Sequence, residues 1–215
     1  MTDVYKAFDR SGELEGWFAR ASFDKFVGIA DDQRRRGVRG DILEIGCYHG
    51  KSACTLAALL EDEEKLYLCD LFDLPESKEG HAWEGSQEKC VYLNVPRPET
   101  VLKNVTRAAD IHPKRIVFHK HSSLELPTRL PEHKFRIIHV DGRHDRKYAL
   151  ADIKYAYRAL VDGGVIIVDD WRNKDWPEVG QAVMQILQEW PRAELVDHEF
   201  HKCYMAISKE GRKNV

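Results

Sequence analysis

The chain has 215 residues, a length typical of one α/β domain with a sizeable buried core. Hydrophobic residues make up 43% and charged residues 32%, which is typical of a soluble globular protein and not of a disordered or membrane protein. The net charge of -3 offers no general attraction to nucleic acid or anionic lipid. The five cysteines form no C-x-x-C pair, and no segment approaches the roughly 20 apolar residues of a membrane span. We therefore predict a single cytoplasmic domain over residues 1–215, with neither nucleic acid nor a membrane as partner.

Short apolar strands alternate with helical patterns along the chain. Residues 1–37 are predicted to form an N-terminal helical segment, because apolar residues from Phe23 to Ala30 recur at helical spacing. The other predicted helices cover residues 51–60, 98–109, 145–160 and 178–190. The predicted strands cover residues 41–45, 66–70, 115–119, 135–140, 163–168, 194–200 and 203–208, the last two as a hairpin around His201 and Lys202. This alternation predicts an α/β fold with a mostly parallel sheet.

Residues 71–97 interrupt the alternation. The segment contains Pro75, Gly80, Gly85 and Pro96 and has no periodic apolar pattern. Loops of this length inside a compact domain are usually lids, binding loops or disordered segments. We predict that these residues form a lid-like insertion.

Carboxylates follow two apolar strands in the second half of the chain. Asp141 comes directly after residues 135–140, and Asp169 and Asp170 come directly after residues 163–168. Because a helical pattern lies between these strands, a parallel crossover would bring both strand ends to one edge of the sheet, where such folds bind ligands. Neighbouring residues of a strand point to opposite faces, so one acid of the pair could instead cap a helix or pair with an arginine.

A glycine-containing turn follows the first predicted strand. Gly46 and Gly50 precede a helix, whose N-terminus offers unpaired amides to a ligand. Their spacing differs from the G-x-G-x-x-G of dinucleotide-binding enzymes. Asp70 ends the next strand, where a carboxylate can accept hydrogen bonds from both hydroxyls of a ribose. Together these features predict a nucleoside ligand without a large phosphate group, although a tight turn and a solvated strand-end acid would each explain one of them.

Residues 38–208 resemble the class I S-adenosylmethionine-dependent methyltransferases. The sequence Glu-Ile-Gly-Cys-Tyr-His-Gly-Lys-Ser at residues 44–52 is similar to their first motif, and Leu-Cys-Asp at residues 68–70 is similar to their second. The resemblance implies a single Rossmann-like domain with a seven-stranded, mostly parallel sheet. It also implies a C-terminal antiparallel hairpin and helices on both faces of the sheet.

The resemblance further implies S-adenosylmethionine as the cofactor. The backbone of residues 46–50 would hold its methionine part, Asp70 its ribose and the turn at residues 120–123 its adenine side. The implied cofactor-binding residues are Glu44, Gly46, Tyr48, Gly50, Ser52, Asp70, Leu71, Ser122, Ser123 and Asp141.

The sequence Asp-Gly-Arg-His at residues 141–144, with the later acidic pair, narrows the resemblance to the macrocin-type O-methyltransferases and the related cephalosporin hydroxylase group. In that group these motifs hold a divalent metal, so the resemblance implies Asp141, Asp169 and Asp170 as metal ligands. Mg²⁺ prefers oxygen ligands, and clustered carboxylates without a cation would repel one another. Either Asp141 or His144 could act as the catalytic base that takes a proton from the acceptor hydroxyl.

These features predict an S-adenosylmethionine-dependent, Mg²⁺-assisted O-methyltransferase acting on a hydroxyl of a small molecule, such as a sugar or a natural-product intermediate. Trp171 is predicted to contact this acceptor, and the resemblance is compatible with a homo-oligomer. One alternative is an NAD-dependent Rossmann oxidoreductase, which the glycine spacing and the terminal hairpin disfavour. Another is a non-catalytic partner subunit of the same fold. The acids at the strand ends and His144 disfavour it.

Overall fold

The computed structural model describes residues 3–73 and 95–207 of the chain. Its α-helices are α1 (Val4–Ser11), α2 (Arg20–Arg36), α3 (Lys51–Ala58), α4 (Pro98–Ala109), α5 (Leu126–Arg129), α6 (Arg146–Ala159) and α7 (Pro177–Glu189). Its strands are β1 (Asp41–Ile45), β2 (Leu66–Asp70), β3 (Ile116–Lys120), β4 (Phe135–Val140), β5 (Leu160–Val168), β6 (Ala193–Glu199) and β7 (Lys202–Ile207). The predicted lid at residues 71–97 lies for the most part outside the described residues. Among the described helices, none combines the length and the apolar character needed to cross a bilayer.

The strands form one seven-stranded sheet in the order β3-β2-β1-β4-β5-β7-β6. All neighbours from β3 to β5 are parallel, and β7 is antiparallel to both β5 and β6. The predicted fold class, with its mostly parallel sheet and its terminal hairpin, is therefore confirmed. The chain order reverses between β1 and β4, so the carboxyl ends of these strands open a crevice near the middle of the sheet.

Helices cover both faces of the sheet and create two hydrophobic cores. Helices α1 to α4 contribute to one core, which includes Phe23 and Leu56, and helices α5 to α7 contribute to the other, which includes Ile153. In β4, Ile137 belongs to the first core and its neighbour Ile138 to the second, as the alternation of side chains along a strand requires. Because both faces are covered, every residue of β4 is buried.

Several helix ends follow from local signals in the sequence. Asp3 caps α1 by accepting hydrogen bonds from the amides of Tyr5 and Lys6 at 3.1 and 3.3 Å. Gly37 ends α2 in the left-handed conformation, with a φ of 70°. Pro98 begins α4, where its missing N–H is not needed by the helix.

Three details differ from the sequence-based prediction. Helix α1 lies before the periodic apolar residues, and residues 12–19 connect it to α2 without helix. Strand β5 begins at Leu160, so Gly163 lies inside the strand with a φ of 79°. In the hairpin, Lys202 is the first residue of β7 and does not belong to the turn.

Candidate active site

A cavity of about 1190 Å³ opens at the carboxyl ends of β1 and β4, where the strand order reverses. Most of the predicted site residues line it, namely Gly46, Tyr48, Ser52, Asp70, Leu71, Ser122, Ser123, Asp141, His144, Asp169 and Asp170. Glu44 and Gly50 do not belong to its lining. The glycine turn and the acidic strand ends therefore share one cavity.

Gly46 allows the ends of β1 and β4 to approach each other. It has a φ of 80°, and a Cβ atom at this position would lie 2.0 Å from the carbonyl oxygen of Asp141. The Asp141 amide in turn donates to the Ile45 carbonyl at 2.8 Å. The contact between two backbones therefore requires glycine at residue 46, whether or not a ligand is bound. Gly50 precedes α3 with a φ of 83° and faces side chains of α4.

Asp70 organises the glycine turn from the end of β2. Its Oδ2 accepts hydrogen bonds from the amides of Cys47 and Tyr48 at 2.8 and 3.0 Å, and its Oδ1 accepts one from the amide of Phe72 at 3.3 Å. Each carboxylate oxygen can accept more than one hydrogen bond, and Asp70 lines the cavity. Its carboxylate is therefore placed to accept hydrogen bonds from hydroxyl groups of a ligand in addition to those from the turn amides.

Glu44 lies beneath the turn and is fully buried. Its Oε1 accepts a hydrogen bond from the Ser52 hydroxyl at 2.5 Å and lies 2.8 Å from Nδ1 of His139. Of these three residues, only Ser52 reaches the cavity. Glu44 is therefore linked to the cavity wall through Ser52.

The predicted adenine side of the cavity follows β3. The Ser122 hydroxyl accepts a hydrogen bond from the amide of Leu124 at 3.3 Å and so caps a short 3-10 turn. Asp152 of α6 is buried near this turn, with 1% of its surface exposed. Burial raises the pKa of Asp152 to about 7, against the opposing effect of Ser123.

Asp141 follows β4 and stands in the middle of the acidic edge. Burial raises the pKa of Asp141 well above its usual range, the charge of Asp169 raises it further, and Lys202 opposes the rise. Its Oδ1 lies 4.0 Å from Nε2 of His144. This environment raises the cost of ionising Asp141, and a further positive charge nearby would reduce that cost.

Asp169 and Asp170 both line the cavity because the chain turns between them. Strand β5 ends at Val168, and Asp170 has a φ of 59°, which ends the alternation of the strand. Asp170 Oδ2 lies 2.8 Å from Nε2 of His144, and its Oδ1 accepts a hydrogen bond from the Asn173 amide at 2.7 Å. Burial alone would raise the pKa of Asp170, but its contacts with His144 and Asn173 outweigh burial and lower it.

Lys202 is a cavity residue that the sequence-based prediction missed. Its ammonium group contacts Asp169 Oδ2 directly. Burial alone would lower the pKa of Lys202, but the charges of Asp169 and Asp141 outweigh burial and raise it. The lysine therefore carries a positive charge inside the acidic edge. The pairing of Cys203 with Val168 places Lys202 beside Asp169, and this register is a property of the folded sheet that no local sequence pattern defines.

Two overlapping groups of side chains in the described part of the chain could hold a cation. One group is His139, Asp141 and Asp169, and the other is Asp141, His144 and Asp170, with the donor atoms of each group within 4.8 Å of one another. Mg²⁺ prefers carboxylate oxygens, and a positive charge here would offset the cost of ionising Asp141. The carboxylates of Asp141, Asp169 and Asp170 suit Mg²⁺, whereas the imidazole in each group is not a ligand that Mg²⁺ prefers. A lysine ammonium already contacts Asp169.

Aromatic side chains surround part of the cavity. His144 stacks on Trp176, with ring centroids 4.5 Å apart and planes at 18°, and Trp176 lines the cavity. Trp171 packs instead in the core beneath α6 and α7, so its predicted contact with the acceptor is wrong. Sequence reasoning also missed Trp17 and Phe200, which line the cavity with 77% and 85% of their surfaces exposed. Trp17 lies in the connection between α1 and α2. Phe200 lies in the turn after β6 and not in the predicted strand over residues 194–200.

The chain matches a known protein family. A family model described as a methyltransferase domain matches residues 43–171, which extend from β1 to just beyond the acidic pair. The chain belongs to this methyltransferase family, and its fold is that of the class I S-adenosylmethionine-dependent methyltransferases. A search of curated proteins found no significant match to the sequence.

Solved O-methyltransferase structures share the fold. The O-methyltransferase NovP is 20% identical with a TM-score of 0.66, over 87% of this chain and 79% of that chain. An O-methyltransferase from Bacillus cereus in complex with SAH is 16% identical with a TM-score of 0.62, over 96% and 89%. CalS11, described as a TDP-rhamnose 3'-O-methyltransferase of calicheamicin biosynthesis, is 16% identical with a TM-score of 0.58, over 87% and 80%.

Proposed function

We propose that the protein is an S-adenosylmethionine-dependent O-methyltransferase whose acceptor is a hydroxyl group of a small molecule. The observation that carries this proposal is the single cavity lined both by Asp70 with the glycine turn and by the acidic edge. A nucleoside cofactor at the turn and a hydroxylated acceptor at the acids would lie side by side. The protein would then accelerate an in-line methyl transfer chiefly by positioning the acceptor oxygen against the methyl group.

On the cofactor side, the backbone at Gly46 and Tyr48 would hold the methionine part of S-adenosylmethionine. Asp70 would accept hydrogen bonds from the ribose hydroxyls while it keeps those from the turn amides. Ser122 and Ser123 would border the adenine, as would Leu71. Ser52 would contribute to the wall. Glu44 and Gly50 support this arrangement from outside the cavity lining.

On the acceptor side, Asp141, Asp169 and Asp170 would hold Mg²⁺. The bound cation would lower the pKa of the acceptor hydroxyl and orient it. His144 is held between Asp170 and the ring of Trp176, and its imidazole can take the hydroxyl proton. Asp141 is the alternative base, provided that its carboxyl group is ionised by a nearby positive charge.

A sugar or a natural-product intermediate is the acceptor class that we propose. Trp17, Trp176 and Phe200 offer flat apolar surfaces along the cavity, which suit the face of a sugar or an aromatic ring. The similarity of fold to CalS11, whose described substrate is TDP-rhamnose, supports a sugar acceptor. The oxygen-rich acidic edge suits a molecule that presents neighbouring hydroxyl groups.

Calorimetry with S-adenosylhomocysteine tests the cofactor assignment. We expect binding at one site, and we expect Asp70→Ala to weaken it by about tenfold or more because charge-assisted hydrogen bonds are lost. Asp32→Ala is the matched control, because Asp32 is an exposed acid that pairs with Arg36 on α2. Binding of NAD⁺ in place of S-adenosylhomocysteine would instead favour the oxidoreductase alternative, and binding of neither would refute the proposal.

Transfer of a labelled methyl group to a panel of sugars and phenols tests the catalytic assignment. We expect transfer to fall when EDTA is present and to recover when excess Mg²⁺ is added. Activity that EDTA leaves intact would remove the metal from the proposal but keep the methyltransferase. Cofactor binding without transfer to any member of the panel would favour the non-catalytic partner subunit.

A further inference from the structure

Lys202 occupies the edge of the cavity at which we propose that Mg²⁺ binds. The side chains of Lys202 and Asp169 are 8% and 14% exposed, and they are in direct contact. This contact uses Oδ2 of Asp169, while Oδ1 accepts a hydrogen bond from the amide of Asp170 at 2.9 Å. Both oxygens of Asp169 therefore have a partner already, and a cation at Oδ2 would lie beside the ammonium group, whose like charge opposes it.

The other two acids of the edge differ from Asp169 in their partners. Asp170 contacts His144 and Asn173, and neither contact places an ammonium group on it. Within the described part of the chain, Asp141 has one contact with a basic group within 4.0 Å, and this is the distance to Nε2 of His144. Lys202 is therefore the group that would most directly oppose a cation at this edge.

A second carboxylate is placed to receive the ammonium group of Lys202. Glu199 stands opposite Lys202 in the register of β6 and β7, so their side chains lie on the same face of the hairpin. Glu199 also lines the cavity and accepts a hydrogen bond from the Tyr204 hydroxyl at 3.0 Å. Lysine has a flexible stem of four carbons, which allows its ammonium group to move from one carboxylate to another.

We propose that Lys202 is the resident counter-ion of the acidic edge and that Mg²⁺ binds only when its ammonium group moves from Asp169 to Glu199. The inference rests on the proposed function, which places Mg²⁺ at this edge. It adds Lys202 as a positioning residue that sets the affinity of the site for metal. Without metal, the lysine keeps Asp169 paired and limits repulsion among the acids. With metal, the ammonium group moves away from Asp169, and one carboxylate oxygen of Asp169 becomes available to the cation.

The test is a calorimetric titration of the protein alone with Mg²⁺. We expect Lys202→Met to bind Mg²⁺ more tightly than the unmodified protein, by on the order of tenfold or more, because a competing positive charge is removed. Lys25→Met is the matched control, because Lys25 forms an exposed pair with Asp197 and does not line the cavity. It should leave the affinity unchanged. Equal or weaker binding by Lys202→Met would overturn the inference, as would the absence of Mg²⁺ binding by both proteins.

Glu199→Gln gives a second test that leaves Lys202 in place. Because the lysine then loses its alternative partner, we expect this variant to bind Mg²⁺ several-fold more weakly than the unmodified protein. Unchanged affinity would contradict the movement to Glu199. A separate titration with S-adenosylhomocysteine distinguishes the two levels of the proposal. If the cofactor binds normally and the Mg²⁺ affinities do not follow this pattern, the inference about Lys202 fails while the cofactor assignment stands.

Discussion

Asp152 shows how burial near the cavity alters a single residue. Its side chain lies close enough to Gly142 that a Cβ atom there would be 3.1 Å from Asp152 Oδ2. Burial raises its pKa from the ordinary value of 3.8 to about 7. The folded protein therefore binds a proton at Asp152 over a pH range in which the unfolded chain has lost it.

This shift predicts a pH dependence of stability. Because the pKa is raised on folding, the contribution of Asp152 to stability is greatest below pH 3.8 and falls as the pH rises to about 7. The change amounts to roughly 4 kcal/mol for a fully buried group. We expect Asp152→Asn to remove this slope, measured as the free energy of unfolding in urea at several pH values. Asp162→Asn, at an exposed position of β5, should keep the slope. A slope that survives in Asp152→Asn would contradict the assignment.

Glycine has different roles in different elements of this fold. At Gly46, two strand ends meet, and any side chain would collide with the backbone of Asp141. At Gly28, inside α2, a Cβ atom would meet nothing within 4 Å. The first glycine is required by the approach of β1 and β4, whereas the second only weakens a helix.

These two positions predict opposite effects of alanine. We expect Gly46→Ala to destabilise the protein by several kcal/mol, because the strands would have to separate and the residue would keep an unfavourable φ. We expect Gly28→Ala to stabilise it by up to about 1 kcal/mol, because alanine favours helix. Urea unfolding of both variants measures the difference. A Gly46→Ala protein as stable as the unmodified one would show that the strand ends do not meet in this way.

Arg136 connects elements of the molecule that are distant in sequence. It is 1% exposed, and its guanidinium group donates two hydrogen bonds to Glu64 at 2.9 and 2.8 Å. It also donates to the side chain of Gln33 on α2 and to the carbonyl of Leu59 after α3. A single side chain of β4 thus joins the N-terminal helices, the sheet and the connection that leads into β2.

Loss of this buried connection is expected to affect global stability. We expect Arg136→Met to cost about 3–5 kcal/mol, because the buried charge of Glu64 would be left without its partner. Arg35→Met should change stability by less than about 1 kcal/mol, because Arg35 is exposed and its pair with Asp32 is long. Thermal unfolding compares the two. If the double variant Arg136→Met/Glu64→Gln were no more stable than Arg136→Met alone, the unpaired carboxylate would not be the cause of the lost stability.

The sequence by itself determined the fold class and much of the site. Apolar runs that end in Asp70, Asp141 and the pair after β5 are local patterns, and so are the helix signals at Gly37 and Pro98. Because parallel crossovers bring strand ends to a common edge, these local patterns were enough to predict that the acids after β4 and β5 lie at one edge of the sheet. The structure adds that the glycine turn borders the same cavity.

Only the tertiary structure decided which neighbouring side chains reach the cavity. Lys202 meets Asp169 through the register of β5 and β7, which a hairpin signal alone does not define. Trp171 packs in the core after the turn at Asp170, and Glu44 is covered by the turn that follows it. The physical reason is common to all of these residues. Their surroundings depend on contacts between segments distant in sequence, whereas periodicity and turn residues report only on conformation within a segment.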